Sequence, residues 1–314
     1  MPPTIVTRRL RWLAGNGALL AAVIEGCDSA LAHGQAPVAP DALLESMTWQ
    51  WSVLAPLLAL HFLYGRGVFA TWRRTGTRAG LGMRHALAFA AGEAVLVVAL
   101  ASPLEGVAGT LFSAHMLQHV LLIAVAPPLL LAGRPEVAIL WGLGNSGRRL
   151  AKAPVVRAAF RFWHAGARPL PAAALHGAVV GAWHIPAAFD AALDSPILHD
   201  LEHLGFFGSA LLFWRALQTA SREARTAAVG ALAALLTMIY GGLLGALISF
   251  APRPLYDRYV WTGLWGLSPL EDQQIAGLIM WVPTGSIYLA AGLLLAARVL
   301  QPPPAATVLR GSSR

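Results

Sequence analysis

Thiol chemistry is all but missing from this chain. Cys27 is the only cysteine among 314 residues, which rules out an intrachain disulfide and any multi-thiolate metal centre. Charge is scarce as well: Asp, Glu, Lys and Arg make up 12% of the sequence against 57% hydrophobic residues, with a mean hydropathy of +0.60. A soluble globular domain carries about twice that charge. Composition therefore excludes one and points to a polytopic membrane protein. Acidic residues are the scarcer sign, 15 against 23 Lys and Arg, for a net charge of +8. Such a surplus serves nucleic-acid binding when the basic residues share one face. Here their positions follow membrane topology instead, and no nucleic-acid partner is expected.

Apolar runs long enough to cross a bilayer, which takes roughly 20 residues, fall at 49–69, 82–101, 111–132, 169–189, 202–218, 226–250 and 274–298. The predicted fold is all-α, a polytopic membrane bundle of seven transmembrane helices spanning 49–300. Eighteen of the basic residues lie in 66–84, 133–168, 215–225 and the segment from 298 onward, whereas 102–110 and 190–201 hold none and 251–273 holds only Arg253 and Arg258. The positive-inside rule puts the rich loops and the C-terminus in the cytoplasm. Residues 1–32 read as a signal peptide. Arg8, Arg9 and Arg11 precede WLAGNGALLAAVI, and Ala30-Leu31-Ala32 fits a small-residue cleavage site. An uncleaved anchor is the competing reading. Residues 33–48 then form an extracytoplasmic N-terminal segment, and 301–314 a disordered cytoplasmic tail. Cleavage would also remove Cys27, leaving His, Met and carboxylates as the available metal ligands. EVAILWGL and the basic stretch after it, within 133–168, read as a helix lying at the membrane surface. Pro127 and Pro128 predict a kink in the third span.

With that orientation the histidines sort by depth. His115 and His119 share one face of the third span, about 6 Å apart along the axis at ~1.5 Å per residue. His184 falls near the outer end of the fourth span. His199, Asp200, Glu202 and His203 open the fifth at the same level. Single buried histidines usually serve helix-to-helix hydrogen bonds, which is also the reading preferred here for His61, His176 and Glu93. Five imidazoles at one depth on three spans are harder to explain that way, because ionisable groups inside a membrane are costly. Met116 and Met280 add thioether sulfur to this nitrogen-rich set, and Asp190, Asp200 and Glu202 add carboxylates that orient imidazoles from behind. Such a donor set suits copper better than magnesium or calcium, with zinc as the competing ion.

Three separated segments in order, HMLQHVLL…APPLLLAGRP (115–135), WHIPAAFDAAL…LHDLEHLGFFGSALLFW (183–214) and EDQQIAGLIMW (271–281), resemble the CtaG family of assembly factors for caa(3)-type cytochrome c oxidases. The resemblance implies a seven-helix inner-membrane protein, not an enzyme, that helps copper reach the oxidase subunits. The matching positions are His115, His119, His184, His199, Glu202, His203, Asp272, Gln273, Met280 and Trp281. Three other readings compete. His199-Asp200-Leu201-Glu202-His203 fits the H-x-x-E-H pattern of inverted zinc peptidases, with Glu202 activating water. A haem could be held by axial His pairs. Cleavage after Ala32 would let the new amine and the His33 ring chelate Cu(II).

Overall fold

The computed structural model describes residues 37–46, 51–76 and 80–301. The expected signal peptide with Cys27, the His33 terminus, residues 49 and 50 of the first span and the tail from 302 lie outside the described residues. Among the described residues the chain is helical with no strand.

Two long helices, α1 (Trp51–Thr75) and α2 (Met83–Leu100), lead through the short α3 (Pro103–Ala108) into the central rod. That rod is α4 (Phe112–Val120), a π-helical segment Leu121–Val125, and α5 (Ala126–Ala132). Pro127 and Pro128 lack the N–H groups that would bond the carbonyls of Ile123 and Ala124. The backbone responds with a wider π turn, and Trp214 Nε1 donates to the Ile123 carbonyl at 2.8 Å. The expected kink is thus a π turn held from a neighbouring helix. This rod is the most enclosed of the candidate spans, 72% of its most apolar window being buried against 17–33% in the other single-helix spans.

The loop that follows holds α6 (Pro135–Gly142), α7 (Gly144–Lys152) and α8 (Pro154–Gly166). The helix expected over EVAILWGL is present as α6, and it is docked on α1. Ala138 is fully buried, and a Cβ at Gly67 would overlap the Ala138 carbonyl, as one at Gly142 would overlap the Leu63 carbonyl. Two glycines let these backbones touch. Arg215 and Glu136 pair at 2.8 Å at the same end of the bundle.

The expected span 169–189 is also interrupted. Helix α9 (Pro169–Trp183) stops, and α10 (Pro186–Asp194) leaves at 72°. Ile185 precedes Pro186 and is forced to extended backbone, ψ 125°. The fifteen residues of α9 reach about 22 Å at 1.5 Å each, short of the ~30 Å hydrocarbon thickness. The chain continues with α11 (Pro196–Ala220), α12 (Ala224–Ser249) and α13 (Pro269–Leu300).

Among the described residues five helices are long and apolar enough to cross a membrane, and the bent pair α9 and α10 passes the same test only when taken together as one broken span. The remaining rod, α11, has 25 residues, but Asp200, Glu202, Arg215 and two histidines lower its hydropathy. Of the seven expected spans, five therefore stand on length and hydropathy together, or six with the bent pair counted as one. The architecture is an all-α polytopic bundle. At the end where α4 begins, the Val38 N–H donates to Thr110 Oγ1 at 2.9 Å and Trp265 Nε1 donates to the Val38 carbonyl at 2.8 Å. These bonds tie the segment before α1 to the loops that close that end.

Candidate metal centre

The helix that carries His115 and His119 starts without a capping side chain of its own, because Leu111 occupies the N-cap position. The acceptor comes from the far end of the sequence. Asp272, in the first turn of α13, takes the N–H of Phe112 at 2.6 Å and of Ser113 at 3.1 Å. One buried carboxylate thus satisfies two first-turn donors and complements the positive end of the helix dipole. Farther along α4, Gln118 Nε2 donates to the Ala99 carbonyl at 2.7 Å and to Glu105 at 2.5 Å. The rod is therefore held at its first turn and again at Gln118, with His115 and His119 buried.

On α11 the spacing i, i+3, i+4, i+7 puts His199, Glu202, His203 and Phe206 on one face. That face meets α4. Ring centroids of His115 and His119 are 4.4 Å apart, His199 and His203 4.1 Å, His115 and His199 5.5 Å, and His119 and His203 5.5 Å. Ligating atoms of His115, His119 and His203 lie within 4.8 Å of one another, and so do those of His115, His199 and Glu202. Glu202 is fully buried. Its Oε1 stands 3.8 Å from His119 Nε2, and neither of its oxygens accepts a hydrogen bond among the described residues. Phe189 and Phe206 pack against the imidazoles at 5.1 and 4.6 Å.

The loop between α12 and α13 closes the site. Tyr259 Oη is 2.9 Å from His115 Nδ1, and Tyr256 Oη donates to the His184 carbonyl at 2.9 Å. Gln273 staples this loop to α13 by accepting the Leu255 N–H at 2.6 Å and donating to the Ile248 carbonyl at 3.1 Å. Burial, then the carboxylates of Asp190 and Glu202, raise the Tyr256 hydroxyl above the ordinary tyrosine range. Burial first, then Glu202 and Asp272, do the same at Tyr259. Both phenols therefore stay protonated at neutral pH. At the rim Arg258 pairs with Asp194.

The sequence profile described as "Cytochrome c oxidase caa3 assembly factor (Caa3_CtaG)" matches residues 62–301. The chain belongs to this family. Comparison with curated proteins and with solved structures gives no match. The matched region contains every residue of the cluster just described.

Within this Caa3_CtaG protein the expected site residues separate into groups. His115, His119, His199, His203 and Glu202 are brought together. His184, Met116 and Met280 adjoin them: with His119, Val180 and Phe206 they line a cavity of about 10 Å³. His184 Nδ1 donates to the Val180 carbonyl at 2.7 Å, while its Nε2 is buried with no hydrogen-bond partner among the described residues. Asp272 and Gln273 hold backbone rather than imidazole. Asp200 is exposed on the other side of α11. Asp190 follows Phe189 with Oδ1 buried, and no bond from it to a cluster imidazole is seen among the described residues. The intramembrane polar groups read as structural do pair. His61 Nδ1 meets Glu93 at 2.6 Å, and His176 bridges Ser209 at 3.0 Å and Tyr288 at 3.1 Å. Sequence reasoning missed Tyr256 and Tyr259. Their one signal was an i, i+3 pair in the loop PRPLYDRY, in a chain with only five tyrosines.

Proposed function

We propose that this Caa3_CtaG protein binds copper between α4 and α11 and passes it to subunits of cytochrome c oxidase during assembly of the enzyme, without catalysing a reaction itself. The observation that carries the reading is the convergence of four imidazoles and a fully buried Glu202, with ligating atoms within 4.8 Å in two overlapping groups. Burying a carboxylate without a hydrogen-bond donor is strongly unfavourable, and a cation held there offsets the cost. Nitrogen-rich ligation beside thioether sulfur favours copper over harder ions. The ion is cargo. Ligands drawn from two helices rather than one rigid loop suit reversible capture.

His115 presents Nε2 to the cluster when its Nδ1–H is donated to the Tyr259 oxygen, the arrangement by which an outer hydrogen bond fixes the metal-binding tautomer. The site lies at the end of the bundle whose loops are poor in Lys and Arg. By the positive-inside rule that end faces outward across a bacterial inner membrane, with the C-terminus in the cytoplasm.

The competing chemistries fit less well. A porphyrin needs a flat slot between its axial imidazoles, and Phe112, Phe189 and Phe206 are packed into the space around these rings. A zinc peptidase keeps an open coordination position and a water within reach of its glutamate. Glu202 is instead sealed inside the bundle beside His119.

Anaerobic copper titration of the purified protein tests the reading. His119→Ala and His203→Ala are each expected to weaken copper retention roughly tenfold or more, about 1.4 kcal/mol, and to lower oxidase activity in cells that depend on this protein. Equal retention by wild type and the double variant would remove the assignment. Tyr259→Phe keeps the ring packing and removes the hydroxyl. It is expected to cost roughly tenfold in copper affinity with little change in heat stability; unchanged affinity would show that the loop only covers the site.

A further inference from the structure

The cavity beside the imidazole cluster has different chemistry from the cluster itself. Met116 and Met280 are buried, come from α4 and α13, and share its wall with the rings of His119 and His184. No carboxylate lines it. The Nδ1–H of His184 is committed to the Val180 carbonyl, since a carbonyl can only accept, so Nε2 carries the lone pair. That atom is buried without a partner among the described residues, on a ring that is itself 5% exposed. Leaving such a nitrogen unpaired in an apolar interior is unfavourable. The space beside it, about 10 Å³, takes the centre of no more than one water-sized sphere. Two thioethers and neutral imidazole form a donor set selective for a soft monovalent ion.

We infer that the cavity bounded by Met116, His119, His184 and Met280 is a second copper position, specific for Cu(I), adjoining the imidazole and carboxylate cluster. The inference rests on the copper-binding reading above and adds a separate site to it. His119 belongs to both positions, its ring 4.4 Å from that of His115 and 5.9 Å from that of His184. An ion in the upper group can therefore exchange one ligand at a time into the lower one. The soft position lies on the π-turn side of the cluster, since Ile123 also contributes to its wall.

The test loads the full-length purified protein with Cu(I) under anaerobic conditions, then measures copper per chain and the neighbours of copper by X-ray absorption. Wild type is expected to retain two ions, with both nitrogen and sulfur neighbours. The Met116→Leu/Met280→Leu pair, which conserves volume, should retain one ion with no sulfur neighbour. His184→Ala should likewise lose one ion, while His203→Ala should keep the sulfur signal. One nitrogen- and oxygen-bound ion in wild type, sensitive to His203→Ala and indifferent to the methionine pair, would overturn the second position and leave the cluster standing. Absence of copper from wild type would overturn both. If the methionine variant fails to accumulate, the presence or absence of sulfur neighbours in the wild-type spectrum decides alone.

Discussion

Asp272→Ala is expected to abolish copper retention and to cost roughly 2–6 kcal/mol of stability, although no atom of Asp272 belongs to the cluster. The figure follows from two buried N–H groups, those of Phe112 and Ser113, losing a charged acceptor at 2.6 and 3.1 Å, at about 1–3 kcal/mol for each donor left unsatisfied. No local residue can take over, because the N-cap position is Leu111. Water cannot reach the gap, since Asp272 is fully buried. The first turn of α4 would unwind or swing, and His115 lies within that turn. Asp272→Asn is the informative companion. It keeps the shape and one acceptor but turns an NH2 toward the second N–H, so it should recover less than half of the loss. Heat survival in detergent, followed by size-exclusion chromatography, and copper per chain check both variants. An Asp272→Ala protein with normal heat survival and full copper would show that α4 is held by packing alone.

Asp272 also shows where sequence reading reaches its limit. The cluster itself was legible: His115 and His119 by their i, i+4 spacing, His199, Glu202 and His203 by theirs, and their common depth by the alternation of basic loops. Each of those signals is local or topological. The cap joins residues 160 positions apart, and nothing in EDQQ distinguishes a carboxylate that faces a helix end from one that faces a metal. The same limit hid the dockings of α6. EVAILWGL has the composition of an interfacial helix, and the features that seat it on α1 are the missing side chains of Gly67 and Gly142, which carry no hydropathy signal. The bend at His184 was readable in principle from Pro186, yet the apolar run continues across it to Phe189. Hydropathy alone therefore extended the span. The polar face of α11 works the other way: Asp200, Glu202 and the two histidines proposed as ligands lower the hydropathy of a helix that is otherwise long enough to be a span.

Gly277→Leu is expected to cost roughly 3 kcal/mol or more, at or beyond the upper end of overpacking, and to remove both the cluster cover and the soft cavity. The reason is backbone contact between α12 and α13. A Cβ at 277 would stand 2.6 Å from the Gly245 carbonyl oxygen and 2.7 Å from the Ser249 nitrogen, and one at 245 would stand 2.8 Å from the Gly277 carbonyl oxygen. These obstacles are main chain, which no rotamer change can move aside. Close approach of this kind is what small residues provide between membrane helices, where dispersion contacts rather than water expulsion hold the pair. Gly277 sits about one turn from Gln273 on one side and Met280 on the other. Pushing α13 off α12 therefore withdraws the staple on the tyrosine loop and a thioether from the cavity together. Gly285, on the same helix, supplies the control. Its nearest neighbour for a Cβ is the Met238 Cγ at 3.8 Å, a flexible side chain at ordinary contact distance. Gly285→Leu should survive heating about as well as wild type and hold its copper. If the two leucine variants behave alike, helix-pair contact at Gly277 does not position the site. If only Gly277→Leu collapses, then the distance between α12 and α13 is what allows one helix to cap the histidine rod and also contribute sulfur beside it.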